Sequence, residues 1–328
     1  MECDYGWKAL CRPGGATDHF EPVPLPEFDV NAPGYSDAVS WWLAELSRLV
    51  YRQVAAVSAR RPPVVTRQQI LARANLQEAH FLDRGGTQCA VLVPRTTVPE
   101  PFGVLVFGGT TRLMDWRANL YAGLVRHRSA KVHGGFLRAL DVIWSDLVTR
   151  LRDVAGPLFY TGHSQGAALA TLSASRQPPR AVYTFGSPRV GDGDFVRSLA
   201  HTRIYRVVHG ADVVTVVPPR IGKHCFRHVG ELHYLARDGR QLVDPPAREM
   251  SADRFVGTAG LRRSGGRSGD RTVGRVGGRG GGWRRWLGPP PFLADHAPVN
   301  YVSHLQRRLS QGQTHHGDPG RVGRRQQA

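Results

Sequence analysis

The sequence predicts an α/β fold, a mostly parallel central sheet with helices on both faces. Three observations predict it. Short apolar runs of strand type alternate with longer segments whose apolar residues recur at helical spacing, a pattern that calls for parallel strands joined by helical crossovers. Residues 157–172, PLFYTGHSQGAALATL, pass from an apolar run through a tight turn into a helix of small residues. Each glycine-containing or polar loop of interest follows a strand, at the carboxyl edge where such sheets collect their function. With 328 residues, 41% of them hydrophobic, the chain is long enough for one large domain of about 250 residues plus extensions.

Taken in order, residues 1–34 are rich in Pro and Gly and read as an extended arm on the surface. A helix begins at Ser36, with Val39, Trp42, Leu43, Leu46, Leu49 and Val50 on one face, and runs to about Arg60, where Pro62-Pro63 stops it. Residues 70–81 form a mixed segment. Residues 87–93 and 103–107 are strands separated by a Pro-rich turn, and Gly108-Gly109-Thr110-Thr111 follows the second. Phe136, Leu137, Leu140, Ile143, Trp144, Leu147 and Leu151 mark a helix over 136–151. Strands are expected at 158–161, 181–185 and 204–208, and a last helix from about Val299 to Leu309. The domain therefore spans 35–310. Residues 257–288, with eight arginines against one aspartate and abundant glycine, cannot bury enough to fold alone and read as a disordered insert. Residues 311–328 read as a disordered basic tail.

The chemistry centres on Gly162-His163-Ser164-Gln165-Gly166. Between a strand and a helix, Gly-x-Ser-x-Gly is a nucleophile elbow. Ser164 sits on a strained turn with its hydroxyl pushed out, and its neighbours two positions away have no room for side chains. The N–H of Gln165, at the helix N-terminus, would face an oxygen that becomes negative during acyl transfer. A glycine-rich turn with a capping serine is the bland alternative. A serine hydroxyl needs an imidazole base, and the imidazole needs a carboxylate to hold its tautomer. Asp212, just past the strand 204–208, projects over the carboxyl edge of the sheet. Asp192 and Asp194 are equally well explained as helix caps. Among the histidines after Asp212, His315 and His316 lie in the tail and His304 falls within the last helix, whereas His296 occupies a loop just before that helix. His224, His228 and His233 complete the candidates.

The net charge is +18, and residues 257–328, with 13 arginines against three aspartates, hold more than half of it. Such a balance favours anionic surfaces. Cys3, Cys11, Cys89 and Cys225 contain no Cys-x-x-Cys pair and predict neither a disulfide framework nor a zinc site. No basic start with an apolar run marks a secretory signal peptide, and no apolar stretch is long enough to span a bilayer. A cytoplasmic protein is the expectation, with peripheral membrane association or non-classical export as alternatives.

Five motifs in order, KVHGGFL, GHSQG, YTFGSPRVGD, HGADVVTVVPP and DHAPVNY, resemble the class 3 lipases, the fungal-type triacylglycerol lipases and their bacterial relatives. The resemblance covers residues 35–309 apart from the insert. It implies the α/β-hydrolase fold, with Ser164 as nucleophile, Asp212 as orienting acid and His296 as base. It also implies an oxyanion loop at Phe107-Gly108-Gly109-Thr110, where Thr110 joins Gln165 as donor, although Gly108 stands where the family usually has arginine. The segment 112–119, with Leu113, Met114 and Trp116, corresponds to the family's lid. The expected activity is serine carboxylester hydrolysis of acylglycerol or related lipid esters, without cofactor or metal. The alternatives are a phospholipase or lysophospholipase on anionic lipid, or a degenerate hydrolase fold that binds membrane or nucleic acid through 257–288. Nucleic acid is not the expected partner, because the arginine spacing in that segment is irregular.

Overall fold

The computed structural model describes residues 1–21, 24–52, 65–109, 123–220, 225–254 and 289–315, with backbone only for 312–315. The insert 257–288, the lid segment with Leu113, Met114 and Trp116, Thr110, and the tail beyond 315 lie outside the described residues.

The strands are β1 (Leu76–Arg84), β2 (Thr87–Pro94), β3 (Gly103–Phe107), β4 (Leu124–His127), β5 (Ala130–His133), β6 (Leu158–His163), β7 (Ala181–Phe185), β8 (Ile204–His209), β9 (Glu231–Leu235) and β10 (Gln241–Val243). The helices are α1 (Trp7–Cys11), α2 (Asp37–Leu49), α3 (Arg67–Arg73), α4 (Gly134–Leu151), α5 (Gln165–Arg176), α6 (Gly193–Ser198), α7 (Pro291–Ala294) and α8 (Pro298–His315). Eight strands form one sheet in the order β1-β2-β3-β6-β7-β8-β9-β10, and β4 and β5 form a separate hairpin. The run from β3 through β9 is parallel, and the flanking pairs are antiparallel. The expected mostly parallel sheet is present.

Alternation along the strands builds two cores. In β3, Val104 and Val106 join Phe159, Tyr183 and Val207 beneath α2, α3 and α8. Leu105 and Phe107 join Tyr160 and Val182 beneath α4, α5 and α6. Helices therefore cover both faces.

Helix α2 starts where Ser36 accepts the Val39 N–H at 3.3 Å, but it ends at Leu49, well before the expected Arg60. Tyr51 and Arg52 leave the helix to make tertiary contacts. The Arg52 guanidinium donates to the carbonyls of Val65, Gly14 and Ala16. The helix is also buried on every side, including Glu45 and Arg48. The N-terminal arm covers its polar face, where Glu45 accepts from His19 Nδ1, the Phe20 N–H and Arg48, and Arg48 pairs with Asp18. Among the described residues of the arm, α1 and a 3-10 turn at Pro13–Gly15 are the regular elements.

The segment 70–81 divides between α3 and β1. At the far end, α8 begins at Pro298, where a missing N–H costs a helix nothing. It runs through residues 311–315, which the sequence assigned to the tail. Tyr301, Val302 and Leu305 anchor α8 in the core, and Arg308 pairs with Asp37 on α2. Among the described residues, no helix is long and apolar enough to cross a membrane.

Candidate active site

The turn between β6 and α5 carries Ser164 at φ 60° and ψ −125°, a left-handed backbone that a residue with a side chain adopts only at a cost of about 1–3 kcal/mol. The strain is held from both sides. Ser164 N–H donates to the Phe185 carbonyl at 2.9 Å, and the Ser164 carbonyl accepts from Ala167 and Ala168. A Cβ on Gly162 would lie 2.3 Å from the Gly166 carbonyl carbon, and one on Gly166 would lie 2.3 Å from the Phe107 carbonyl oxygen. Only glycine fits either position, because α5 approaches the ends of β3 and β6 so closely. The Ser164 side chain does not cap the helix, which distinguishes it from an ordinary capping serine. Gln165 is the first residue of α5, at the positive end of that helix's dipole.

Asp212 lies beyond β8 and is fully buried. Its Oδ1 accepts the Val214 N–H at 2.8 Å. Its Oδ2 accepts from His296 Nδ1 at 2.8 Å and from the Tyr301 hydroxyl at 2.5 Å. Burial opposes its charge, but the pull of His296 and the hydrogen bonds from His296 and Tyr301 outweigh burial and hold the carboxyl below its usual range. Tyr301 is fixed in turn, since its hydroxyl oxygen accepts the His209 N–H at 3.3 Å.

His296 occupies the turn between α7 and α8, and its N–H bonds to the Leu293 carbonyl. Asp295, immediately before it, ties this turn to the one that carries the acid. Its Oδ2 accepts the Ala211 N–H at 2.7 Å and a bond from Arg237. Its carbonyl accepts from His209 Nδ1 at 3.1 Å. Burial pushes the Asp295 carboxyl up.

The structure thus joins Asp212 to His296 and places Ser164 on the elbow beside β7. The other candidates are engaged elsewhere. Asp192 caps α6 through the Phe195 N–H at 3.0 Å, and Asp194 pairs with exposed Arg197. His228 donates to the Thr215 carbonyl at 2.7 Å. His233 stacks on Tyr35 and bonds Glu231, and His304 packs against His209 in the interior. His224 and His316 lie outside the described residues, as does the side chain of His315. Tyr301, Asp295, Arg237 and His163 are site residues that sequence reasoning missed. Two of them flank His296 within DHAPVNY, so the motif held the signal without showing their partners. Among the described residues, no group of three or more His, Cys, Asp or Glu is placed to hold a metal ion.

Residues 104–222 match the model of the family described as Lipase (class 3). A lipase from Rhizomucor miehei is 30% identical over 158 residues, covering 42% of this chain and 43% of the relative. Phospholipase A1-II 6 from Oryza sativa subsp. japonica is 30% identical over 193 residues, covering 43% of this chain and 47% of the relative. The chain therefore spans less than half the length of these curated relatives. The native propeptide complex of Rhizomucor miehei lipase superposes with a TM-score of 0.52 at 23% identity, covering 74% of this chain and 84% of that one. That likeness is one of fold.

Proposed function

Because residues 104–222 match the class 3 lipase family, we propose that the chain is a serine carboxylester hydrolase acting on lipid esters. The observation that carries the reading is the buried bond from His296 Nδ1–H to Asp212, beside a serine held at positive φ between two glycines. A carboxylate that stays ionised keeps the proton on Nδ1, leaving Nε2 bare to accept one.

In the proposed cycle, Ser164 Oγ attacks the ester carbonyl carbon while its proton passes to His296 Nε2. The imidazolium that forms is stabilised by Asp212. The tetrahedral oxyanion takes hydrogen bonds from the Gln165 and Thr110 N–H groups, the latter carried over from the family's motif. His296 then protonates the leaving alkoxide as the C–O bond breaks. Water, giving a proton to His296 Nε2, attacks the acyl carbon; the bond to Ser164 Oγ breaks as His296 returns the proton to Oγ, and the carboxylic acid departs.

The relatives bear both lipase and phospholipase names, so acylglycerols and phospholipids are the substrate classes to compare. The basic balance of the chain supports peripheral contact with anionic lipid. The test is hydrolysis of p-nitrophenyl esters from acetate to palmitate, then of triacylglycerol and phosphatidylcholine emulsions, by wild type beside Ser164→Ala. Turnover lost in the variant supports the reading. Equal turnover by both, or none by a folded wild type, rejects it.

A further inference from the structure

A buried hydrogen-bonded strut lies behind the site, and no step of the proposed cycle uses it. Tyr51, just past the end of α2, directs its hydroxyl at His163 Nδ1 at 3.0 Å. The opposite ring nitrogen, His163 Nε2, meets the backbone carbonyl of His296 at 2.7 Å. The Gly109 N–H bonds back to the Tyr51 oxygen. A Cβ on Gly109 would lie 2.1 Å from that oxygen and 2.9 Å from the His163 carbonyl, so its glycine is required by close approach. Tyr51 and His163 are both buried.

The direction of every bond follows from elementary chemistry. A carbonyl only accepts, so Nε2 carries the ring proton. Burial first, and then the neighbouring His296, push His163 down to about 3, so the ring is neutral at working pH and Nδ1 is bare. Nδ1 therefore accepts the Tyr51 O–H, and burial keeps that hydroxyl protonated. The Tyr51 oxygen, its proton spent, accepts from Gly109. The order Gly109 N–H, Tyr51 O–H, His163 Nε2–H, His296 carbonyl is self-consistent and leaves no member unpaired.

We propose that Tyr51 is a positioning residue which, through His163, fixes three parts of the site against one another. These parts are the β3 loop that leads into Thr110, the backbone at Ser164, and the turn that carries His296. A planar imidazole bonded at opposite nitrogens sets the separation between the Tyr51 oxygen and the His296 carbonyl, as a flexible side chain would not. His163 is adjacent to Ser164, so the same ring couples elbow and base. The inference rests on the hydrolase reading above and adds the residue that holds its parts in register.

Tyr51→Phe keeps the ring and deletes the strut. Losing one buried hydrogen bond at the transition state lowers kcat by about tenfold, with KM within about twofold of wild type. The second-order rate of Ser164 phosphonylation by a p-nitrophenyl alkylphosphonate falls by the same factor. His163→Gln retains an N–H for the His296 carbonyl but loses the bare nitrogen. Its kcat falls similarly, and the double variant falls by less than the product of the two, because both act through one strut. Normal kcat in Tyr51→Phe with only a lowered melting temperature overturns the proposal, as do single effects that multiply. A wild type that neither turns over esters nor reacts with the phosphonate would instead sink the hydrolase reading, which the variants cannot do.

Discussion

Replacing Asp212 with asparagine tests the acid's role through a constraint particular to this structure. The two carboxylate oxygens are spoken for by groups of different kinds. Oδ1 accepts from a backbone N–H, that of Val214 at 2.8 Å, which cannot turn round and accept. Oδ2 accepts from His296 Nδ1 at 2.8 Å and from Tyr301 at 2.5 Å. An amide has one oxygen, and Val214 claims it. The NH2 group then faces His296, whose Nδ1 must become the acceptor, so the ring proton moves to Nε2. In that tautomer His296 cannot take the proton from Ser164. A wrong tautomer in a serine triad lowers kcat by about 10⁴, equivalent to about 5 kcal/mol of barrier. The asparagine is nearly isosteric, so folding should survive. The assay is kcat on p-nitrophenyl butyrate, with circular dichroism as the check on folding. Activity within about tenfold of wild type, which is the scale of a single hydrogen bond, would refute the assignment of Asp212 as the group that sets the tautomer.

Three further outcomes follow from the geometry. Tyr301→Phe removes a hydrogen bond to an ionised carboxylate and should cost about 2 kcal/mol of stability in urea unfolding, with about a tenfold loss in kcat; unchanged kcat would mean that Tyr301 does not steady the acid. Gly166→Ala should destabilise the fold by about 3 kcal/mol through its clash with the Phe107 carbonyl, whereas helix propensity alone would stabilise it by about 1 kcal/mol, so the sign of the melting shift decides. His163 and His304 are buried neutral and both are pushed down to about 3 from 6.5. The unfolded chain binds their protons first, so stability is full above pH 6.5 and declines towards pH 3, by up to about 1.4 kcal/mol per pH unit for each histidine. Urea midpoints that stay flat from pH 8 to about 4 would contradict their burial as neutral rings.

The legible parts of the chain were those whose chemistry is local. The elbow needs strand, glycine, serine, glycine and helix within a few residues, and β3, β6, β7 and β8 are continuous apolar runs because the sheet buries them on both faces. Several of the missed elements carry weaker patterns. β1 is an edge strand with polar and half-exposed residues, β4 and β5 are four-residue strands outside the main sheet, and β10 has three residues. The end of α2 escaped notice because tertiary bonds from Tyr51 and Arg52, and not a helix-stop signal, turn the chain there. The supporting residues were invisible for the same reason. Tyr51 meets His163 across 112 positions and Tyr301 meets Asp212 across 89, and only the folded sheet brings them together. The choice of Asp212 over Asp192 and Asp194 followed from strand position, and the structure shows why the others differ: one caps a helix and one is an exposed ion partner.

The most direct test of the proposed chemistry is covalent capture of the nucleophile. The 328-residue protein is treated with a p-nitrophenyl alkylphosphonate, which mimics the tetrahedral intermediate, and the modified peptide is read by mass spectrometry while esterase activity is followed. The expected result is one adduct, on Ser164, formed in step with loss of activity and slowed sharply in His296→Ala. An adduct on another residue, or full phosphonylation of Ser164 with activity intact, would contradict Ser164 as the residue that carries the acyl group.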